Sequence, residues 1–156
     1  MPKIEITTEI NSTKEICFDL ARSIDLHKIS TAPTNAEAID GRTKGLINLN
    51  ETVTWQATHF GIKQKLTTKI TAFDKPNYFV DEQTKGIFKS IYHLHSFEIV
   101  ENKVLMKDVF EFATNTLEPL LSFRRMFSDN GVPISPGLTF NGPMDEPSEF
   151  NVVLCV

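Results

Sequence analysis

The sequence predicts an α+β protein in which a curved antiparallel β-sheet surrounds a hydrophobic cavity. Three patterns indicate this fold. The first is a strand pattern followed directly by a helix pattern near the N-terminus. The second is a run from about residue 36 to 113 that is dense in Thr, Val, Ile and aromatic residues, the composition of β-strands. The third is a set of turn signals that divides this run into segments of hairpin length.

The N-terminal segment predicts one strand and one helix. Residues 4–10 place Ile or Thr at every second position, the period of a strand with one buried face. Ser12 and Glu15 then have the spacing of a capping box, so a helix is predicted to begin there. Its apolar positions recur with helical period over residues 13–23, and they are Ile16, Cys17, Leu20, Ala21 and Ile24. Residues 25–27 are interpreted as a turn or a short helical piece.

The central run predicts a meander of antiparallel strands. The predicted strands lie near residues 36–41, 45–60, 62–73, 78–85, 87–99 and 104–113, and the turns between the later ones lie at Gly61, 74–77, Gly86 and 101–103. The segment 45–60 is long for a single strand, and a break is expected near Asn50. Hairpins of this kind form one continuous sheet.

The C-terminal segment changes character after Ala113. Residues 117–128 predict a short amphipathic helix, with Pro119 in its first turn. Residues 129–156 contain three glycines and four prolines without helical period, so an irregular tail is expected. The predicted division is a ligand-binding domain over 1–128 and this tail over 129–156. A short helix cannot close the sheet alone, so a second subunit, as in a homodimer, or residues 150–154 are expected to help cover it.

Strand alternation predicts which side chains share a face, and therefore which ones line the cavity. His93 and His95 point the same way, and on the next strand an apolar face is interrupted only by Asp108. Large apolar groups mixed with a few polar ones are typical of a ligand pocket. The predicted ligand-binding residues are Trp55, Phe79, Asp81, His93, His95, Phe97, Met106, Asp108 and Phe110.

The polar members of this set permit several chemistries. They orient a ligand's polar group, or they pair with one another and satisfy the core without touching a ligand. An imidazole beside a carboxylate also suits acid/base catalysis. His93 and His95 with Asp81 or Asp108 suit Zn²⁺, but no third ligand has a fixed spacing, so neither a metal nor a cofactor is expected.

Composition and motifs exclude several other functions. The net charge is −4 and the basic residues are scattered, which argues against nucleic acid as a partner. The sequence contains no nucleophile-elbow, phosphate-loop or zinc-protease motif. It shows no signal-peptide pattern and no apolar stretch of about 20 residues, so a cytoplasmic protein without a transmembrane segment is expected. Cys17 and Cys155 have no metal-binding spacing, and Cys17 is predicted to pack rather than react.

Several short segments, in order and spacing, resemble the helix-grip superfamily that includes START-related and pollen-allergen-like proteins, and most closely its bacterial polyketide cyclase/dehydrase and lipid-transport branch. These segments are residues 16–20, 41–45, 51–55, 60–61, 76–81, 86–88, 93–97 and 106–110. The resemblance implies a strand, a helix, a curved sheet and a long closing helix, of which the last is replaced here by the short one. It also implies the binding or carriage of a hydrophobic small molecule such as a lipid, a polyketide-like compound or an isoprenoid. The alternative it implies is an enzyme of the cyclase, dehydratase or isomerase type that uses the pocket His and Asp residues.

Overall fold

A computed structural model describes residues 3–31, 35–59, 62–114 and 138–139, with the side chains of residues 59, 62, 138 and 139 left aside. Within these ranges it contains two helices and eight strands. They are β1 (Lys3–Ile10), α1 (Lys14–Ala21), α2 (Ile24–Ser30), β2 (Glu37–Gly41), β3 (Thr52–His59), β4 (Ile62–Asp74), β5 (Tyr78–Lys85), β6 (Ser90–Val100), β7 (Lys103–Ala113) and β8 (Leu138–Thr139). This order confirms the predicted α+β class.

The strands form one sheet in the order β2-β3-β4-β5-β6-β7-β1-β8. Strands β2 to β7 form an antiparallel meander, and β1 closes back onto β7 with Ile6 opposite Asp108. The register shifts in the β2–β3 pair and twice in the β4–β5 pair, and such bulges bend a sheet. The result is the curved antiparallel sheet that the sequence predicts, with both helices on its concave face.

The helical segment differs from the prediction in two ways. The N-cap is Thr13, whose hydroxyl accepts a hydrogen bond from the amide of Ile16, so the predicted start at Ser12 is wrong by one residue. The predicted helix over about residues 13–23 corresponds to α1, which ends slightly earlier because Arg22 is its C-cap. Ser23 then caps α2 by accepting from the amide of Leu26, so the turn or short helical piece predicted at 25–27 is a helix of seven residues. A short polar residue at each cap position satisfies an amide that the helix leaves free.

Two predicted strands begin later than the sequence indicates. The strand expected over 45–60 is β3, Thr52–His59, because Asn50 takes a left-handed backbone conformation with φ of 66° and the chain turns there. The strand expected over 87–99 is β6, Ser90–Val100, and Ile87 is exposed in the preceding turn. Alternation places Ile99 on the same face of β6 as the buried residues Ile91, His93, His95 and Phe97, but Ile99 is 68% exposed. It lies near the end of the strand, past the part of the sheet that α1 covers.

The core contains two apolar groups on the concave face. The aromatic cluster lies under α1, where the ring of Phe18 makes edge-on contacts with three other rings at centroid distances of 5.2 to 5.6 Å; it comprises Phe18, Phe73, Phe79 and Phe97. Cys17 packs beside it, and burial raises the pKa of its thiol to about 11, which suits a packing role. A second group around Phe110 and Phe112 lies nearer the other end of β7.

Several C-terminal predictions lie outside the described residues. These are the helix over 117–128 with its part in closing the sheet, the covering role of residues 150–154, and Cys155. Within the predicted irregular tail, the two residues of β8 pair in parallel with Thr8 and Glu9 of β1. Neither of the helices described here is long and apolar enough to cross a membrane.

Candidate functional site

A cavity lies between the corner that joins α1 to α2 and the concave face of β3 to β6. Its volume is about 50 Å³, enough for a few ordered water molecules or a small polar group. The helical side is formed by Ala21, Arg22, Ser23, Ile24 and His27, together with Ile47, and the sheet side by Val53, Trp55, Thr68, Ile70, Phe79, Asp81, His93 and His95. The cavity therefore has an apolar wall with a compact polar patch.

The polar patch belongs to the His/Asp cluster, which comprises Asp81, His93, His95 and Asp108. Strand register brings the four together, because Asp81 pairs with His93 across β5 and β6, and His95 pairs with Asp108 across β6 and β7. All four are buried. The cluster lies between the aromatic cluster at Phe79 and Phe97 and the second apolar group at Phe110 and Ile91. It is thus a band of ionisable groups across a concave face whose other buried residues are mostly apolar.

Each imidazole of the cluster contacts both carboxylates. His95 Nε2 lies 3.1 Å from Asp81 Oδ2, and His95 Nδ1 lies 2.7 Å from Asp108 Oδ1. His93 Nδ1 lies 3.5 Å from Asp81 Oδ2, and His93 Nε2 lies 3.4 Å from Asp108 Oδ1. The two rings lie 3.8 Å apart at an angle of 45°. Asp81 and Asp108 therefore lie on opposite edges of a pair of imidazoles.

The contacts of Asp108 are short but poorly angled. Although His95 Nδ1 is 2.7 Å away, neither carboxylate oxygen of Asp108 has a well-directed hydrogen-bond donor among the described residues. The contact between His95 and Asp108 is therefore mainly electrostatic, because its angle is poor for a hydrogen bond. Asp108 is 3% exposed and does not line the cavity, whereas Asp81 and both imidazoles do.

Burial and charge act in opposite directions on these groups. For His95, burial disfavours the imidazolium, but the contacts with Asp108 and Asp81 outweigh it and raise the pKa to about 9. For Asp81, burial disfavours the carboxylate, but the hydrogen bond from His95 and the charge of His93 lower the pKa below its usual range. The pKa of Asp108 is lowered in the same way, against burial, by the two imidazoles. The cluster therefore favours ionised carboxylates.

The cavity wall opposite the cluster contains residues that sequence patterns did not identify as part of a site. His27 on α2 lies against Trp55, with ring centroids 4.2 Å apart, and Arg22 is held by Asp19, Asn48 and the carbonyl oxygen of Ile47. The sequence pattern predicts only a turn or a short helical piece at His27. The cap residue Ser23 followed by helical spacing is the signal that identifies α2 and places His27 on it.

The structure places all nine predicted ligand-binding residues on the concave side, but at different depths. Five line the cavity, namely Trp55, Phe79, Asp81, His93 and His95. Phe97 and Met106 pack in the core with the aromatic cluster. Asp108 lies behind the imidazoles, and Phe110 packs against His93 with ring centroids 5.1 Å apart. The last four residues do not line this cavity.

Comparisons with known proteins identify the fold. No family model matches the sequence, and no curated protein matches it. Among solved structures, Ara h 8.0201 superimposes with a TM-score of 0.59 at 15% identity, over 84% of this chain and 91% of that one. The major latex-like protein 151 of Panax ginseng superimposes with a TM-score of 0.56 at 17% identity, over 85% and 98% of the two chains. The protein TTHA0849 of Thermus thermophilus gives a TM-score of 0.64 at 13% identity, over 85% and 91%.

These likenesses extend over nearly the full length of the neighbouring structures and include plant and bacterial proteins. At identities this low they establish the fold and leave the ligand open. The chain therefore has the helix-grip fold, as the sequence resemblance predicted.

Proposed function

We propose that the protein binds and carries a small molecule that has an apolar body and one polar group. The observation that carries this proposal is the position of Asp81, His93 and His95, which line a cavity beside the aromatic rings of Trp55 and Phe79. Burying several ionisable groups in a core costs free energy unless they are paired or used. A polar group of the ligand would bind the His/Asp cluster while its apolar body packs on the aromatic wall.

The size of the cavity sets a condition on this proposal. Ligand pockets commonly enclose about 300–1,000 Å³, and the present cavity of about 50 Å³ is smaller. A lipid, polyketide-like or isoprenoid ligand therefore requires the corner between α1 and α2 to move away from the sheet. This corner is joined to β3 by the contact of His27 with Trp55, so that contact should change when a ligand enters.

Trp55 provides a direct test because it is the only tryptophan of the chain. Titration with a fatty acid, with an isoprenoid alcohol and with a flat polyketide aromatic should change its emission in a saturable way for at least one class. Native mass spectrometry of protein purified without denaturation should show a retained small molecule. If no probe changes the emission and no adduct is retained, carriage is wrong.

A matched pair of variants tests whether the polar patch contributes. Asp81→Asn keeps the size of the side chain but removes its charge at the cavity, and Glu82→Gln makes the same change at the adjacent position of β5. The ligand used is one that changes the emission of Trp55. We expect Asp81→Asn to weaken its binding and Glu82→Gln to leave its affinity unchanged. If both variants bind the ligand with the same affinity, the polar patch does not contribute to binding.

A second candidate function is an enzyme of the cyclase, dehydratase or isomerase type. The observation that favours it is the contact of two imidazoles with carboxylates on both sides, since such a group can pass a proton between a ligand and the protein interior. The two functions differ in the fate of the bound molecule. Incubating the retained ligand with protein in excess and analysing it by mass spectrometry and NMR distinguishes unchanged release from conversion. If the protein is an enzyme, His95→Gln should abolish conversion of the ligand that remains bound, whereas Glu82→Gln should preserve it.

Two further predictions from the sequence remain proposals. A homodimer would help to cover the concave face, and light scattering at micromolar concentration tests for it. A cytoplasmic location is tested by fractionation of the native cells.

A further inference from the structure

The His/Asp cluster has the donor atoms and the spacing of a metal site. One donor atom from each of Asp81, His93 and His95 lies within 4.8 Å of the other two. The separations of 3.1 Å and 3.5 Å from Asp81 Oδ2 to the two imidazole nitrogens bracket the spacing of about 3.3 Å that a tetrahedral ion with bonds of about 2.0–2.1 Å imposes on its ligands. The pairing of β5 with β6 thus supplies the third ligand that sequence spacing did not reveal.

Asp108 occupies the position of an outer carboxylate. The nitrogens of His93 and His95 that face away from Asp81 both face Asp108 Oδ1, at 3.4 Å and 2.7 Å. Ligating histidines commonly donate their second N–H to a buried carboxylate, which fixes the tautomer and the ring orientation. Metal binding at the nitrogens nearest Asp81 would leave the second nitrogen of each ring protonated and facing Asp108. A small rotation of the rings would then give the two buried Asp108 oxygens the well-directed donors that they lack among the described residues.

The charge of the cluster also fits a divalent cation. Metal ligation requires neutral imidazoles, and Asp81 and Asp108 then have a formal charge of −2, which a single divalent ion cancels. Without the ion, protons on the imidazoles are the available compensation for these two buried carboxylates. Two imidazole nitrogens and a carboxylate oxygen favour Zn²⁺ and other first-row divalent ions over Ca²⁺ or Mg²⁺, which take oxygen ligands.

The cavity leaves room for a further ligand on the ion. Asp81, His93 and His95 all line it, and Asp108 does not. A volume of about 50 Å³ admits water at the open coordination position. Three protein ligands with an open fourth position are typical of a reactive zinc site, whereas structural sites use four protein ligands.

We propose that Asp81, His93 and His95 bind one divalent first-row metal ion, for which Zn²⁺ is the best fit, and that Asp108 positions the two imidazoles. Because the ligands come from the sheet alone, this site does not depend on the organic ligand proposed above, and it can exist whether or not the cavity opens.

The test uses the full chain after removal of metal with a chelator. Calorimetric titration with ZnCl₂ should show one strong site per chain, and Co²⁺ should give the intense visible bands of a four-coordinate ion. Asp81→Asn should lower Zn²⁺ affinity at least tenfold. Asp108→Asn should lower it about 10- to 100-fold without changing the stoichiometry. Glu82→Gln serves as the control and should leave it unchanged, because Glu82 lies next to Asp81 on β5 but faces away from the cluster.

A second measurement avoids variants that fail to fold. In the unaltered protein labelled with ¹⁵N, saturating Zn²⁺ should shift the Nδ1 resonance of His93 and the Nε2 resonance of His95 more than any other histidine resonance. The proposal is overturned if the unaltered protein binds no Zn²⁺, if Asp81→Asn binds it as tightly as the original, or if the shifted resonances belong to other residues. Organic ligands are absent from both experiments, so failure here leaves the test of carriage intact.

Discussion

The aromatic cluster and the His/Asp cluster are neighbours on the same concave face but differ in what they contribute. Phe79 of the first pairs across the strands with His95 of the second, and their rings stack 4.2 Å apart. The aromatic cluster gains free energy from removing apolar surface from water. The His/Asp cluster must first offset the desolvation of four polar groups. A fold needs the first kind of region, whereas buried ionisable groups of the second kind concentrate at functional sites, and this is the reason for proposing the His/Asp cluster as the site.

The largest effect should come from opening the aromatic cluster. Phe18 is fully buried, so Phe18→Ala should lower the free energy of unfolding by about 3–5 kcal/mol, through lost burial and the cavity that remains. Ile16→Ala on the same helix removes a side chain that is 48% exposed and should cost far less. Urea denaturation measures both. Similar losses for the two variants would mean that α1 does not anchor the core through Phe18.

Breaking the His/Asp cluster should cost on the order of 3 kcal/mol when one partner is removed, as in Asp108→Ala. The reason is that His95 loses one of its two carboxylates while staying buried. Replacing the whole cluster with apolar residues of similar size should recover much of this loss. The substitutions are Asp81→Val, His93→Leu, His95→Leu and Asp108→Val. A fourfold variant less stable than the single one would show that the cluster itself stabilises the fold.

The pH dependence of stability should separate the two regions further. His95 has a pKa raised to about 9 in the folded chain, against burial, by Asp108 and Asp81. Its contribution to stability is therefore complete below its unfolded pKa of about 6.5 and is lost as the pH rises through about 9. Asp81 and Asp108 have lowered pKa values, so their contribution is present above about pH 4 and is lost on acidification. Stability should thus be highest between about pH 4 and 6.5.

Urea midpoints measured in a chelator across this range test the pH dependence. His95→Gln should flatten the alkaline limb, whereas Ile99→Ala, an exposed position on the same strand, should preserve it. The groups that face His95 are Asp81, His93 and Asp108, and His27 acts on Asp81 from the opposite wall. An alkaline limb that persists in His95→Gln would assign the titration to another group.

The same comparison shows how far the sequence predicts this molecule. Period-two alternation placed His93, His95 and Asp108 on one buried face correctly, because side-chain direction in a strand is a local property. Which atoms meet depends on register between strands, and the pairing of Asp81 with His93 is a property of the β5–β6 hairpin that no single segment encodes. For this reason the sequence left Asp81 and Asp108 as alternative partners of the two histidines.

Local signals also failed where two neighbouring residues compete for one position. Ser12 and Thr13 can both cap a helix, and the backbone chooses between them. The corner at Arg22 and Ser23 similarly ended the predicted helix early and began α2. The sequence pattern predicted only a turn or a short helical piece there, so it did not place His27 in the cavity wall. The sequence therefore predicted the sheet side of the site better than the helical side.

The smallest expected change in stability comes from the N-cap of α1, where either Ser12 or Thr13 could cap the helix. Thr13 Oγ1 accepts from the amide of Ile16 at 3.3 Å, so Thr13→Ala should cost about 1 kcal/mol of unfolding free energy. Ser12→Ala should cost only a few tenths, since the hydroxyl of Ser12 meets the thiol of Cys17, a weak hydrogen-bonding partner. Thr13→Ser retains the hydroxyl and should restore most of the stability. A larger loss of unfolding free energy for Ser12→Ala than for Thr13→Ala would show that α1 begins at Ser12 instead. Because Phe18 of α1 packs in the aromatic cluster, that result would also change which residues of the helix face the sheet.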